Sequence, residues 1–322
     1  MTNDPFEEAV SVLADSRHLV LACHIGPDGD ALGSMLGLGM AAKQAGKTVI
    51  ASFGTPFTVS ENYRFLNTDL LVPPSQVPDA PEVMVTFDAG SADRLGELAK
   101  AAGNAETVLV IDHHVTNTGF GNVNLIDPTA AATAEIVVML LERLGWPVDE
   151  EIATALLTGL VTDTGRFQYS NTTPRTLEAA ARMVEAGARP EIIGQHVYEE
   201  TPFGYLHAAG AVLGRAQLDA ERRLVWSVLT IDDLKSARIA PTDTDPLIDA
   251  IRTAVESDVA LLIKEVDGGK VKASLRSRGR VDVGAIAVEL GGGGHHNAAG
   301  FTFAGSADAA VEAVRSRLDP VE

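Results

Sequence analysis

The sequence predicts an α/β protein in two parts: a doubly wound, mostly parallel sheet domain, then a smaller α/β domain with a mixed or antiparallel sheet. Two observations predict it. Up to about residue 190, short apolar runs alternate with helical patterns, as buried parallel strands covered on both faces require. From about residue 218 the runs come as neighbours, the last two joined by Asp267-Gly268-Gly269, a hairpin signal. A length of 322 residues gives each part room for its own core.

In chain order, HLVLACHI is the first strand and DALGSMLGLGMAAKQAG the helix that follows it. KTVIASF, VMVTFDAG and TVLVIDHH are further strands, with SADRLGELAKAAG as an intervening helix. Thr173-Pro174 supplies the cap and first-turn proline of TPRTLEAAARMVEAG, and Gly187 closes that helix. The stretch PEIIGQHVYEETPFGYLHAAGAVLGRAQL reads as helical; residues 191–217 are expected to connect a domain at 1–190 with one at 218–322. That second domain reads as RLVWSVLT, a helix around PLIDAIRTAVESD, the paired strands VALLIKEV and KVKASLRS, and a closing helix SADAAVEAVRSRL. Gly37, Gly39 and Ala42 spell GxGxxA, but inside a helix and not at a strand-to-helix turn, so close packing explains them.

Composition narrows the function classes. With 46% hydrophobic and 21% charged residues the chain reads as a soluble globular protein. No basic segment precedes a long apolar stretch and no apolar run is long enough to cross a bilayer, so neither a secretory leader nor a membrane partner is expected. Cys23 is the one cysteine, which excludes an intramolecular disulfide, agrees with a reducing cytoplasm and suits a small buried hydrophobe. A formal charge of −19 argues against binding long nucleic acid, whose affinity comes from Lys and Arg displacing counterions. Lys264, Lys270, Lys272, Arg276, Arg278 and Arg280 form a local exception, either a solvated strand face or a phosphate-binding edge.

Ligands of open parallel sheets collect at the carboxyl ends of the strands, and four places there carry chemistry. His24, Asp28 and Asp30 follow LVLAC; Asp88 ends VMVTF; Asp112, His113 and His114 follow TVLVI; Asp163 follows the helical run EIATALLTGLVT. Singly, Asp28 reads as a turn residue, Asp88 as a helix cap and Asp163 as a C-terminal turn residue. Together, Asp28, Asp30, Asp88 and Asp163 supply four negative charges, enough to balance two divalent cations. Mixed carboxylate and imidazole ligation points to Mn²⁺ first, with Zn²⁺, Fe²⁺ and Co²⁺ as alternatives. Two such ions activate water and stabilise the attacking and leaving oxygens of an in-line displacement at phosphorus.

HIGPDGDALGS, Asp88, IDHHVTN and TDTG resemble, in that order, the four motifs of the DHH phosphoesterase superfamily. GGGGHHNAAGF, preceded by VKASLRSRG, resembles the signature of the DHH-associated C-terminal domain. Within the superfamily the chain resembles the two-domain nano-RNases, bifunctional oligoribonuclease and pAp phosphatases with relatives acting on cyclic di-AMP or pApA. The resemblance implies that His24 and Asp28 bind one Mn²⁺, that Asp30, His113 and Asp163 bind the other, and that Asp88 bridges them. It implies that Asp112 orients a histidine, that His114 faces the scissile phosphate, and that the protein is a homodimer. His296, where many relatives carry lysine, and Gly26, where asparagine is common, depart from the pattern without touching the ligand set.

In the second domain Gly291 to Gly294 reads either as a linker or as a place where backbone amides approach a phosphate or nucleobase. Its position between helix VGAIAVEL and strand AAGFTF favours the site. Arg276, placed by the family motif, is expected to hold the non-reacting end of a short nucleotide with Gly292, Gly293, Gly294 and His295. The expected activity is hydrolysis of pApA and other very short RNAs, pAp or cyclic di-AMP to nucleoside 5′-monophosphates. The competing readings are a RecJ-like single-strand exonuclease, an inorganic pyrophosphatase and a non-catalytic nucleotide sensor.

Overall fold

The computed structural model describes residues 4–266 and 268–321. They form two units, residues 1–199 and 200–322.

In the first unit the chain runs α1 (Pro5–Asp15), β1 (His18–Cys23), α2 (Gly29–Gln44), β2 (Thr48–Phe53), β3 (Val83–Phe87), α3 (Ala99–Asn104), β4 (Thr107–Asp112), β5 (Val123–Ile126), α4 (Thr133–Leu144), α5 (Glu150–Asp163), α6 (Pro174–Glu185) and α7 (Pro190–Gly194). The five strands lie in the order β2-β1-β3-β4-β5, every neighbouring pair parallel. Alternate side chains divide between two cores. Leu19, Leu21 and Cys23 pack with α2, α4 and α5, while Val20 and Ala22 pack with Leu95, Leu98, Ala101 and Ala102 on the other face. This is the doubly wound sheet expected from the apolar runs, and its switch point lies between β1 and β3.

Two segments differ from the sequence expectation. SADRLGELAKAAG is not one helix: a 3₁₀ turn at Ala92–Leu98 precedes α3, broken at Gly96, whose φ is +60°. A Cβ there would stand 2.5 Å from Ile25 Cδ1, so the break lets the segment lie against the loop after β1. Strand β5 completes the sheet from VNLI, four residues without a strong apolar pattern. The GxGxxA glycines lie within α2 as expected, and a Cβ at Gly37 would stand 2.7 Å from Leu156 of α5.

The second unit runs α8 (Phe203–Gly214), β6 (Gln217–Asp219), β7 (Leu224–Leu229), α9 (Ile231–Ala237), α10 (Leu247–Ile251), β8 (Val259–Val266), β9 (Lys270–Ser277), α11 (Val283–Glu289), β10 (Gly293–His295), β11 (Ala298–Ala304) and α12 (Ala307–Arg315). Its sheet, ordered β10-β11-β9-β8-β7-β6, is mixed: β7 and β8 are parallel and the other pairs antiparallel. Within the expected connector, Ile193 and Val197 pack into the first unit's core, and Ala208 and Val212 of α8 into the second's. The β8–β9 hairpin turns through Gly268 and Gly269, both at positive φ; Asp267 lies outside the described residues. The PLIDAIRTAVESD helix is only α10, five residues long; past it the Thr253 and Ser257 hydroxyls donate to the carbonyls of Ala250 and Ala254. Among the described residues no helix is long and apolar enough to cross a membrane.

Candidate metal centre

Strand register lines up the first residues of the site. Cys23 stands opposite Phe87, and Phe87 opposite Ile111. The next row is therefore His24, Asp88 and Asp112, side by side at the carboxyl edge and flanking the switch point. Asp88 takes φ +53°, a left-handed conformation that Asp tolerates better than most residues, and its N–H donates to Ile111 O at 3.1 Å. It ends the strand and caps no helix; the following 3₁₀ turn starts from Ser91.

Asp28 is both turn and cap: its Oδ1 accepts from the N–H groups of Asp30 at 3.1 Å and Ala31 at 3.0 Å as α2 begins. Asp163 arrives from well downstream of the first motif because α5 packs against α2 at very short range. A Cβ at Gly33 would stand 2.2 Å from Ala155 O, and one at Gly29 2.6 Å from the Thr162 side chain. The contacts run antiparallel, so the last residue of α5, Asp163, lies beside the first turn of α2.

The expected ligands fall into two groups. His24, Asp28 and Asp88 offer ligand atoms within 4.8 Å of one another, and so do Asp30, His113 and Asp163. Asp88 presents a different oxygen to each: Oδ2 is 3.5 Å from His24 Nε2 and Oδ1 is 3.5 Å from His113 Nε2. Around His113 Nε2, Asp163 Oδ2 stands at 3.1 Å and Asp30 Oδ2 at 3.9 Å. Both histidines are oriented through Nδ1, which donates to a carbonyl: Ile25 O at 3.0 Å for His24, Ala130 O at 3.2 Å for His113. With Nδ1 spent on a carbonyl, Nε2 is the nitrogen turned toward the carboxylates, free to release its proton to an ion as metal-binding histidines require.

Asp112 orients His114 and not His113. Its Oδ1 accepts from His114 Nδ1 at 2.7 Å and from the His113 backbone N–H at 2.9 Å, while Oδ2 accepts from Asn117 Nδ2 at 2.5 Å.

So many acids in one buried place disturb one another's charge. Burial, then repulsion from Asp88 and Asp163, pushes the Asp30 carboxyl well above the usual carboxylate range. Burial pulls His113 down, but its hydrogen bond with Asp163 and the charges of Asp88 and Asp30 outweigh it and hold the imidazole well above its ordinary value. His24 is raised in the same way by Asp28 and Asp88. Without an ion, protons supply the positive charge that the carboxylates attract. A donor set of four aspartates and two correctly tautomerised histidines, split by one shared carboxylate, fits two divalent cations.

Several residues that shape this site were not singled out in the sequence. The N–H groups of Thr133 and Ala134, at the start of α4, donate to Asp30 at 2.6 and 2.9 Å, and the Thr133 hydroxyl donates to Asp88 Oδ1 at 3.0 Å. A helix N-terminus turned on a buried carboxylate is a favourable charge pairing. The available signal was a threonine opening an apolar helix.

In the second unit, Arg276 and His295 share a row, each opposite Ala298, about 10 Å apart across two strand spacings. Arg276 Nη1 donates to Leu275 O at 3.1 Å, and its Nε lies 3.8 Å from Asp249. Three of the four glycines have structural work. Gly291 ends α11 at φ +80°, with Gly292 N–H donating to Ala287 O; a Cβ at Gly292 would stand 2.1 Å from Gly300 O; Gly294 takes φ +138°. Gly293 has neither a positive φ nor anything within 4 Å of a Cβ. The basic run also divides. Lys270 and Lys272 are exposed, Arg280 meets Asp258, and Lys264 is buried with Nζ 2.6 Å from Asp245.

Residues 18–160 match the DHH family, N-terminal domain, and residues 226–319 the DHHA1 domain. The bifunctional oligoribonuclease and PAP phosphatase NrnA of Thermus thermophilus is 34% identical over 93% of this chain and 90% of its own length. The cyclic-di-AMP phosphodiesterase GdpP of Bacillus subtilis is 27% identical over 96% of this chain and 48% of its own. A crystal structure of an exopolyphosphatase-related protein from Bacteroides fragilis superposes with a TM-score of 0.89 at 22% identity, covering 97% of this chain and 94% of that one, and shares the fold. On the two matched domains and the near end-to-end likeness to the Thermus protein, the chain belongs to the DHH family.

Proposed function

We propose that the chain is a phosphoesterase that hydrolyses short 5′-phosphorylated nucleotides, pApA and other very short RNAs, pAp or cyclic di-AMP, to nucleoside 5′-monophosphates with two Mn²⁺ ions. The observation that carries it is Asp88, one oxygen toward His24 and the other toward His113. His24, Asp28 and Asp88 would hold one ion, and Asp30, His113, Asp163 and Asp88 the other. When bound, such a pair supplies Lewis-acid activation of water and neutralises charge at phosphorus. The protein's own groups do the rest. Ile25 O and Ala130 O fix the two histidine tautomers; Thr133 and Ala134 hold Asp30 in place; Asp112 pins His114 through Nδ1, and we assign its Nε2 to the scissile phosphate.

The second unit is assigned the non-reacting end of the substrate, through Arg276, His295 and the Gly292–Gly294 backbone. Support comes from the oligoribonuclease and PAP phosphatase of Thermus, whose likeness spans both units. A net charge of −19 disfavours a RecJ-like enzyme drawing long strands. A sensor has no use for a shared carboxylate between two ligand groups. A homodimer, checked by sedimentation, belongs to the same reading. Purified protein with Mn²⁺ is incubated with pApA, pAp, cyclic di-AMP and longer RNA oligomers and the products are resolved; turnover concentrated on the shortest substrates is expected. No turnover on any of them overturns the proposal.

A further inference from the structure

Residues 127–134, from the end of β5 into the first turn of α4, serve the site mostly through their backbone. Ala130 O receives His113 Nδ1–H, the N–H groups of Thr133 and Ala134 reach Asp30, and the Thr133 hydroxyl reaches Asp88. Ala131 O also accepts from Asn171 Nδ2 at 3.1 Å, and the same amide reaches Asp163 O at 3.1 Å. Four of the six candidate ligands therefore depend on a short loop whose middle, Ala130 to Ala132, carries no polar side chain of its own.

A partly buried ion network from α6 holds it. Glu135, fully buried in the first turn of α4, accepts through Oε2 from the Ala131 N–H at 3.2 Å and the Thr176 hydroxyl at 2.8 Å, and through Oε1 from Arg175 Nε. The other arm of the same guanidinium donates from Nη2 to Asp127 Oδ2 at 2.9 Å. Asp127 in turn accepts from Thr129 N–H at 2.9 Å and its hydroxyl at 2.6 Å. Arg175 thus ties the entry of the loop, Asp127, to its exit, Glu135. A planar guanidinium reaches both carboxylates at once, which a lysine ammonium cannot copy.

We infer that Arg175 and Glu135 are positioning residues for the metal centre: they set the height of Ala130 O, hence the tautomer and angle of His113, and the placement of Asp30 and Asp88. The inference rests on the two-ion reading of the site. Loss of outer partners of metal ligands costs ten- to a hundredfold in metal affinity, and that is the shift expected here.

The test titrates metal-free protein with Mn²⁺, following free ion by its electron paramagnetic resonance signal, for wild type, Arg175→Gln, Arg175→Lys, Asp127→Asn and His113→Ala. Arg175→Gln is expected to weaken binding ten- to a hundredfold, with Arg175→Lys recovering only part of it. Turnover should return toward the wild-type kcat at saturating Mn²⁺, a split that a general loss of folded protein would not give. If Arg175→Gln does not fold, Asp127→Asn decides, because its carboxylate is partly exposed and its Thr129 contacts survive; a threefold or larger weakening supports the inference. Wild-type Mn²⁺ affinity in folded Arg175→Gln, or in Asp127→Asn where it alone folds, overturns it. His113→Ala separates the two levels. If it loses an ion while Arg175→Gln does not, only the positioning role fails; if it too binds like wild type, the two-ion reading fails.

Discussion

Asp88→Asn isolates the shared carboxylate with little collateral change. Asparagine is among the residues that tolerate a φ of +53°, so the backbone past β3 keeps its left-handed turn, whereas alanine would add about 1–2 kcal/mol of strain there. The amide oxygen still accepts from the Thr133 hydroxyl. What goes is one negative charge and one of two oxygens, each 3.5 Å from a histidine Nε2 that marks an ion position. A unit charge acting over about 4 Å in a protein site of effective dielectric 20 is worth about 4 kcal/mol. At 1.36 kcal/mol per factor of ten, the expected loss is about a thousandfold in turnover. The assay is steady-state hydrolysis of pApA across a Mn²⁺ titration, with circular dichroism to establish folding. A folded Asp88→Asn enzyme that keeps more than a tenth of wild-type activity, and still binds two ions, refutes the reasoning.

Three further outcomes are expected. Thr133→Val, the same shape without the donor to Asp88, removes a hydrogen bond to a charged group worth about 1.5–3 kcal/mol, so Mn²⁺ affinity should fall about ten- to a hundredfold; unchanged titration would show that the hydroxyl is dispensable. His24 and His113 sit above their unfolded values in the metal-free chain, because the surrounding acids outweigh burial, so they stabilise the fold below about pH 6.5 and lose that contribution as pH rises through the raised values. Melting curves in chelator should therefore shift to lower Tm between pH 6 and 9, with Mn²⁺ restoring it; a Tm that climbs over that range contradicts the sign. Finally, Gly33→Ala forces a methyl to 2.2 Å from Ala155 O and should cost about 1–3 kcal/mol in denaturant unfolding, while Gly103→Ala, with nothing within 4 Å, should be neutral or stabilising by up to about 1 kcal/mol; equal effects would mean α2 and α5 are not held at the distance described.

The parts of the fold legible in the sequence are those written in local patterns. Apolar runs marked β1 to β4 because buried parallel strands need no polar face, and Thr173-Pro174 marked α6 because capping chemistry is local. β5 escaped notice, since VNLI borrows its stability from β4, and the break at Gly96 is dictated by Ile25, far upstream in the chain. The site divides along the same line. His24, Asp28, Asp30, Asp88, Asp112, His113, His114 and Asp163 announce themselves by residue type after strands and at a helix end. Thr133, Ala130, Glu135 and Arg175 do not, because two act through backbone atoms and two form a pair 40 residues apart. In GGGGHH the sequence does not rank Gly292, Gly293 and Gly294; backbone angle and the close approach of β11 distinguish Gly293 from its neighbours.

The two-ion centre is tested most directly by crystals grown with Mn²⁺ and measured at the manganese absorption edge. Two anomalous peaks per chain are expected, one beside His24 and Asp28, one beside Asp30, His113 and Asp163, with one Asp88 oxygen on each. A single ion, or a pair that Asp88 does not join, would contradict the proposal at its centre.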